Sequence, residues 1–206
     1  DTTMALDKGA RNGGAKIVEG VAVQRLLKDG DKCVGVETED GRAVLAESVV
    51  MAAGMWTRKL AETIGVNVPL QACEHFYIVT EPLAGVPRDM PIVRDPSNYT
   101  YFKEETGKLM VGFFEPKGKV WNIDVIPRDF CFESLPEDWD HIGPIFQAAC
   151  ERMPSLSEAG LQLFFNGPEA FTPDGTFYLG EAAEVDRCFV AAGFNSVGIQ
   201  TAGGAG

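Results

Sequence analysis

Phe189-Val-Ala-Ala-Gly193-Phe194-Asn195-Ser196-Val-Gly198-Ile199 is the stretch on which the reading of this chain turns. Its first residues make an apolar strand, and Gly193 opens a turn dense in small residues. Glycine accepts positive φ and carries no side chain, so such a turn lets backbone approach a phosphate or a flat ring. A helix starting just beyond would aim its N–H groups at an anion. Upstream stands Asn166-Gly-Pro-Glu-Ala-Phe-Thr-Pro173-Asp174-Gly175, a second turn-rich segment leading toward the first.

Ser48-Val-Val-Met-Ala-Ala53-Gly54-Met-Trp56 repeats the pattern near the other end of the chain. A buried strand that ends in small residues leaves its backbone open to a flat ligand. Taken alone, the same run reads more readily as a strand-to-helix turn with a packing glycine.

Around these anchors the periodicities give a mixed α/β (α+β) organisation. A short helix over 2–12 closes at Gly13-Gly14, and Ala15–Glu19 reads as a strand. Ala22–Leu27 and Cys33–Thr38 form a meander turning at Asp29-Gly30 and Asp40-Gly41. Val44–Ala53 reads as one strand, and Trp56, Leu60 and Ile64 mark a helix closed by Gly65. Glu74–Thr80, Pro91–Arg94, Tyr99–Glu104 and Leu109–Phe114 are extended candidates for an antiparallel sheet. Between Asp138 and Met153 one apolar stripe marks a helix, with Pro144 in its first turn. Leu161–Phe165 and Arg187–Ala192 close as strands. The reading is two interleaved domains: residues 1–66 and 166–206 of one, with 67–165 inserted as a sheet-plus-helix unit.

Charge narrows the partners. Of 206 residues, 18 are basic and 30 acidic, a net charge of −12, which repels nucleic acid and anionic membrane surfaces. Cysteines 33, 73, 131, 150 and 188 are scattered and odd in number, and they fit reduced thiols better than a disulfide framework. Cys73 and His75 have no second ligand pair at metal-site spacing, so no metal is expected. No membrane-length apolar run and no export signal stand out, and the expected location is cytoplasmic.

Two constellations carry candidate chemistry. In Glu74-His75-Phe-Tyr-Ile-Val-Thr-Glu-Pro82, period-two alternation places His75, Tyr77 and Val79 on one face and Phe76, Ile78 and Thr80 on the other. In Arg94-Asp-Pro-Ser-Asn-Tyr99-Thr-Tyr101-Phe-Lys103, the tyrosines and Lys103 share a face opposite Phe102. A lone strand histidine is more often a hydrogen-bonded structural residue, and sheet tyrosines usually pack. His141, the other histidine, reads as a surface or capping residue.

Taken together and in this order, these motifs resemble the flavin-dependent dimethylglycine and sarcosine dehydrogenases, within the D-amino-acid-oxidase-like group. The resemblance covers essentially the whole chain. It implies a partial glutathione-reductase-like FAD-binding domain interleaved with an antiparallel-sheet substrate domain. It also implies oxidative demethylation of an N-methyl amino acid, with FAD as cofactor. His75 and Tyr101 match the family's active-site histidine and tyrosine. Val23, Ala53, Gly54, Trp56, Pro173, Gly193, Phe194, Asn195, Ser196, Gly198 and Ile199 fall at its cofactor contacts.

No GxGxxG occurs, so the chain reads as a fragment lacking the family's pyrophosphate-binding start. A folate-binding domain or an electron acceptor is implied for the full-length protein. Two other readings stay open. One is a non-catalytic binding relative, such as the regulatory subunit of pyruvate dehydrogenase phosphatase. The other is an amino-acid or amine oxidase with a different substrate.

Overall fold

Val49–Met51 and Cys188–Ala192, far apart in sequence, run side by side as parallel strands with Val190 opposite Met51. This pairing anchors the first of two compact units, residues 1–71 with 170–206; the second comprises 72–169. The computed structural model describes residues 2–122 and 126–206. In chain order the elements begin α1 (Thr2–Asn12), β1 (Val23–Asp29), β2 (Lys32–Thr38), β3 (Ala43–Leu45), β4 (Val49–Met51) and α2 (Thr57–Glu62). There follow β5 (Gln71–Thr80), β6 (Val93–Asp95), β7 (Thr100–Glu105), β8 (Lys108–Phe113), β9 (Lys119–Val120), α3 (Trp139–Arg152) and β10 (Leu161–Phe171). β11 (Tyr178–Glu181), β12 (Cys188–Ala192) and α4 (Gly198–Ala205) complete the chain.

The first unit holds two three-stranded sheets, β1-β2-β3 and β11-β12-β4. Its core gathers Leu26, Met51, Ile64, Val66, Val68, Leu70, Cys188 and Val190. Two expectations are corrected here. Ala15–Glu19 forms no strand; Arg11 instead holds this segment through the Ile17 carbonyl and the Glu19 carboxylate, and a strand without a neighbour has nothing to pair with. The expected single strand Val44–Ala53 is two. After Ala46 donates to the Val34 carbonyl the chain leaves the meander, and Val49 resumes pairing at the Arg187 carbonyl.

The second unit is one antiparallel-rich sheet ordered β10-β5-β8-β7-β6, with β9 also pairing β5. Phe76, Ile78, Phe102, Val111 and Phe113 project from it onto Ile142, Ala149 and Leu156, so one sheet face is the core and the opposite face is left for other work. Asp138 caps α3 by accepting the His141 N–H at 3.0 Å. His141 is thus capped rather than capping, and its ring lies half-buried, 5.5 Å from that of Phe76.

Pro144, expected in the first turn, is the sixth residue of α3 and interrupts its hydrogen-bond ladder. Tyr99 is not on the strand: it caps the 3-10 turn Pro96–Asn98 in a left-handed conformation, φ 56°. The strand expected at Leu161–Phe165 runs on to Phe171, through Pro168. β10 is an edge strand, where a missing N–H can face outward. Among the described residues no helix is long and apolar enough to cross a membrane.

Candidate functional site

On the solvent-side face of the second unit's sheet, register builds a row of functional groups. Tyr77 of β5 lies opposite Gly112 of β8, Gly112 opposite Tyr101 of β7, and Tyr101 opposite Arg94 of β6. Residues directly opposite in antiparallel strands share a face, so Tyr77, Tyr101 and Arg94 point the same way. His75, two residues before Tyr77, joins them by the period of the strand. The backbone bond from Phe114 to the Tyr99 carbonyl continues the β8–β7 pairing one step further.

Phe114 is the hub. Its ring centroid lies 5.5 Å from that of His75 and 5.8 Å from that of Tyr101. The Arg94 guanidinium carbon sits 4.4 Å above the same ring, a cation–π stack that holds the group in place while leaving it solvent-exposed. No carboxylate pairs with Arg94 among the described residues, which is notable in so acidic a chain. Tyr77 stacks on Phe165 at 4.7 Å. Burial holds the Tyr101 phenol above the usual tyrosine range, with further upward pushes from Tyr77 and Glu169 against the opposing charge of Lys103. Tyr101 is therefore a neutral hydroxyl, able both to donate and to accept.

Gly112 makes this geometry possible. A Cβ there would lie 1.9 Å from Tyr101 Cε1, so the phenol rests directly on bare backbone. Gly112 and Phe114 escaped the sequence reading, and Arg94 stood in a quoted motif without a role; the register of β6, β7 and β8 exposes all three. Glu115, whose Oε2 lies 3.4 Å from His75 Nδ1, escaped it too.

The sequence-derived cofactor residues lie in the first unit. Parallel pairing of β4 and β12 brings Ala53-Gly54 and Gly193 to the carboxyl ends of neighbouring strands, where open α/β sheets bind ligands. Ala53 precedes a 3-10 turn, Gly54–Trp56, whose Gly54 has φ 55° and open space where a Cβ would stand. Trp56 is half-buried behind it. Gly193 is glycine for packing: a Cβ would strike Thr172 Cγ2 at 2.4 Å and Leu70 Cδ2 at 2.7 Å.

Asn195 and Ser196 follow in left-handed conformations, φ 47° and 66°. Asn195 Oδ1 accepts the Thr172 N–H at 2.9 Å and its Nδ2 donates to the Gly193 carbonyl at 2.6 Å. Next to that tie, Pro173 is exposed, and Phe194 stacks on Phe177 at 4.7 Å. Gly198 and the exposed Ile199 begin α4, whose N-cap residue Val197 makes no side-chain cap bond. Val23, in contrast, opens β1 opposite Thr38 and belongs to the other sheet. Open space at Gly54 and the backbone N–H groups that start α4, both at the strand ends, are a backbone opening and a donor set that fit FAD. Ala53, Gly54, Gly193, Phe194, Asn195, Ser196, Gly198 and Ile199 are the residues that could hold it.

The chain is similar to known proteins in sequence and in fold. The family described as DAO, FAD dependent oxidoreductase, matches residues 1–206. The chain is 45% identical over 204 residues to a 4-methylaminobutanoate oxidase (formaldehyde-forming) of Paenarthrobacter nicotinovorans, covering 99% of this chain and 24% of the relative. It is 35% identical over 210 residues to mitochondrial sarcosine dehydrogenase of Mus musculus, covering 100% of this chain and 22% of that one. The chain thus spans about a quarter of the length of these curated relatives. In fold it resembles an L-proline dehydrogenase from P. horikoshii, with TM-score 0.79 and 21% identity, covering 97% of this chain and 51% of the other.

Proposed function

Because the chain belongs to the DAO family of FAD-dependent oxidoreductases, we propose that the whole protein oxidatively demethylates a small N-methylated amino acid of the sarcosine or dimethylglycine kind. The observation that carries this reading is the grouping of His75, Tyr101 and Arg94 around the Phe114 ring. An imidazole, a neutral phenol and a guanidinium with no carboxylate partner among the described residues, on one apolar platform, match the amine and carboxylate of such a molecule.

When bound, FAD would supply the two-electron oxidant for the N-methyl C–H bond, and addition of water to the oxidised carbon, with cleavage of its C–N bond, would release formaldehyde and the demethylated amine. The substrate nitrogen is an ammonium in water and must lose a proton before its lone pair can assist C–H cleavage. His75 supplies an imidazole, a side chain suited to take that proton. Tyr101, kept neutral by burial, orients the nitrogen through its hydroxyl. Arg94 presents parallel N–H donors to the carboxylate, and Phe114 excludes water beneath all three. In the full-length protein we place a folate-binding domain or an electron acceptor as the partner.

The test is steady-state turnover of the FAD-loaded full-length protein with sarcosine, dimethylglycine and 4-methylaminobutanoate, with formaldehyde measured directly. His75→Gln and Tyr101→Phe are each expected to lower kcat/KM by about 10²- to 10⁴-fold, the usual contribution of a positioned acid–base group. No flavin reduction by any N-methyl amino acid would favour a binding relative, and full turnover by both variants would remove the site assignment.

A further inference from the structure

Glu115 is the buried acid that the chemistry above leaves unused. Its carboxylate is 6% exposed, and it follows β8 directly after the Phe114 platform. Oε2 lies 3.4 Å from His75 Nδ1, while Oε1 is buried with no hydrogen-bond partner among the described residues. An unsatisfied buried carboxylate oxygen is costly, so the acid is poorly explained as a structural tie. Its neighbours narrow the role further. Cys73 shares the strand face of His75, and its thiol is pushed up by burial and then by the negative charge of Glu115. Lys119, the cation of the adjoining strand, is committed to Glu74 at 3.3 Å and Asp138 at 2.5 Å.

An ionised carboxylate accepts hydrogen bonds and donates none, so an imidazole nitrogen that bonds to it carries the proton. The other nitrogen then keeps its lone pair. We propose that Glu115 is a positioning residue that fixes His75 as the Nδ1–H tautomer and thereby makes Nε2 the atom that takes the proton from the substrate amine. This rests on the reading of His75 as the base. Glu115 touches neither substrate nor cofactor; it acts through the ring.

The test pairs spectroscopy with kinetics. The chain has two histidines, so nitrogen-15 imidazole spectra of histidine-labelled protein are assigned with a His141→Gln variant. The wild type is expected to show His75 protonated at Nδ1 and bare at Nε2. Glu115→Gln, whose amide also offers N–H donors, is expected to lose that pattern. In the FAD-loaded full-length protein it is expected to lower kcat by about 10²- to 10⁴-fold, as a wrong tautomer does in a serine-protease triad, with KM nearly unchanged. Glu115→Asp is expected to restore part of both.

An Nε2–H tautomer in the wild type overturns the proposal even if Glu115→Gln fails to fold. So does a folded Glu115→Gln protein that keeps the wild-type spectrum or the wild-type kcat. Full turnover in His75→Gln is a separate result: it removes the base assignment itself, and this proposal with it.

Discussion

The Tyr101 phenol lies on Gly112 so closely that a single methyl group added there would stand 1.9 Å from Cε1. β8 runs between the strands bearing Tyr77 and Tyr101, and glycine is the residue that leaves the phenol room to lie across it. Gly112→Ala is therefore expected to move the Tyr101 ring rather than the sheet. Overpacking costs about 1–3 kcal/mol, so the variant should fold with a lowered melting temperature. Its kcat/KM should fall at least about tenfold, since a displaced reactive group is costly. If Tyr101→Phe and Gly112→Ala act through one phenol, their double variant falls short of additivity. Wild-type turnover in a folded Gly112→Ala protein would separate the contact from function.

How much of this was legible in the sequence depends on the range of the signal. The alternation of Phe76 and Ile78 with His75 and Tyr77 is local, and the structure sorts them between core and open face in that way. The glycine-rich ends of β4 and β12 were also visible, because strand-to-turn chemistry is written in consecutive residues. Pairing across strands is not. Gly112, Arg94 and Glu115 acquire meaning only when register sets them beside Tyr101, Phe114 and His75. Tyr99 was misread because alternation was extended across a left-handed residue, and the break at Ala46–Ser48 because a change of sheet leaves no compositional mark.

Arg94 tests the substrate class. Its guanidinium is stacked on Phe114 yet has no carboxylate partner among the described residues. Replacing it with glutamine keeps a polar side chain but removes the charge. A charge-assisted hydrogen bond is worth about 1.5–3 kcal/mol, so KM for N-methyl amino acids should rise roughly 10- to 150-fold. Oxidation of an N-methyl amine without a carboxylate should change little. Equal losses for both compounds would show that Arg94 does not read the acid group.

Alkaline pH should loosen the first unit through Cys188. Burial, and then the neighbouring Cys33 thiol, push the Cys188 thiol from 9.0 up to about 11. The folded state thus holds this proton more tightly than the unfolded chain does. Its stabilising contribution is complete below pH 9 and is lost as pH rises through 11. Denaturant midpoints of wild type and Cys188→Ala, compared between these limits, should show the variant starting lower but declining less. Parallel declines would place the alkaline sensitivity elsewhere, with the raised Tyr101 phenol the next group to remove.

Asn195 ties two distant motifs together, and its replacement separates backbone strain from hydrogen bonding. The side chain accepts the Thr172 N–H and donates to the Gly193 carbonyl, while its own backbone holds φ 47°. Asn195→Ala forfeits the bonds and adds left-handed strain, a combined cost of about 2–5 kcal/mol. Asn195→Gly forfeits the same bonds but relieves the strain, so it should recover about 1–2 kcal/mol of that loss. Asn195→Asp keeps the acceptor for Thr172 and turns a donor into an acceptor facing the Gly193 carbonyl at 2.6 Å, so it should not behave as a conservative change. Thermal unfolding of the three variants orders these effects. If glycine is no more stable than alanine, the left-handed backbone contributes nothing, and the tie is purely one of side-chain hydrogen bonds.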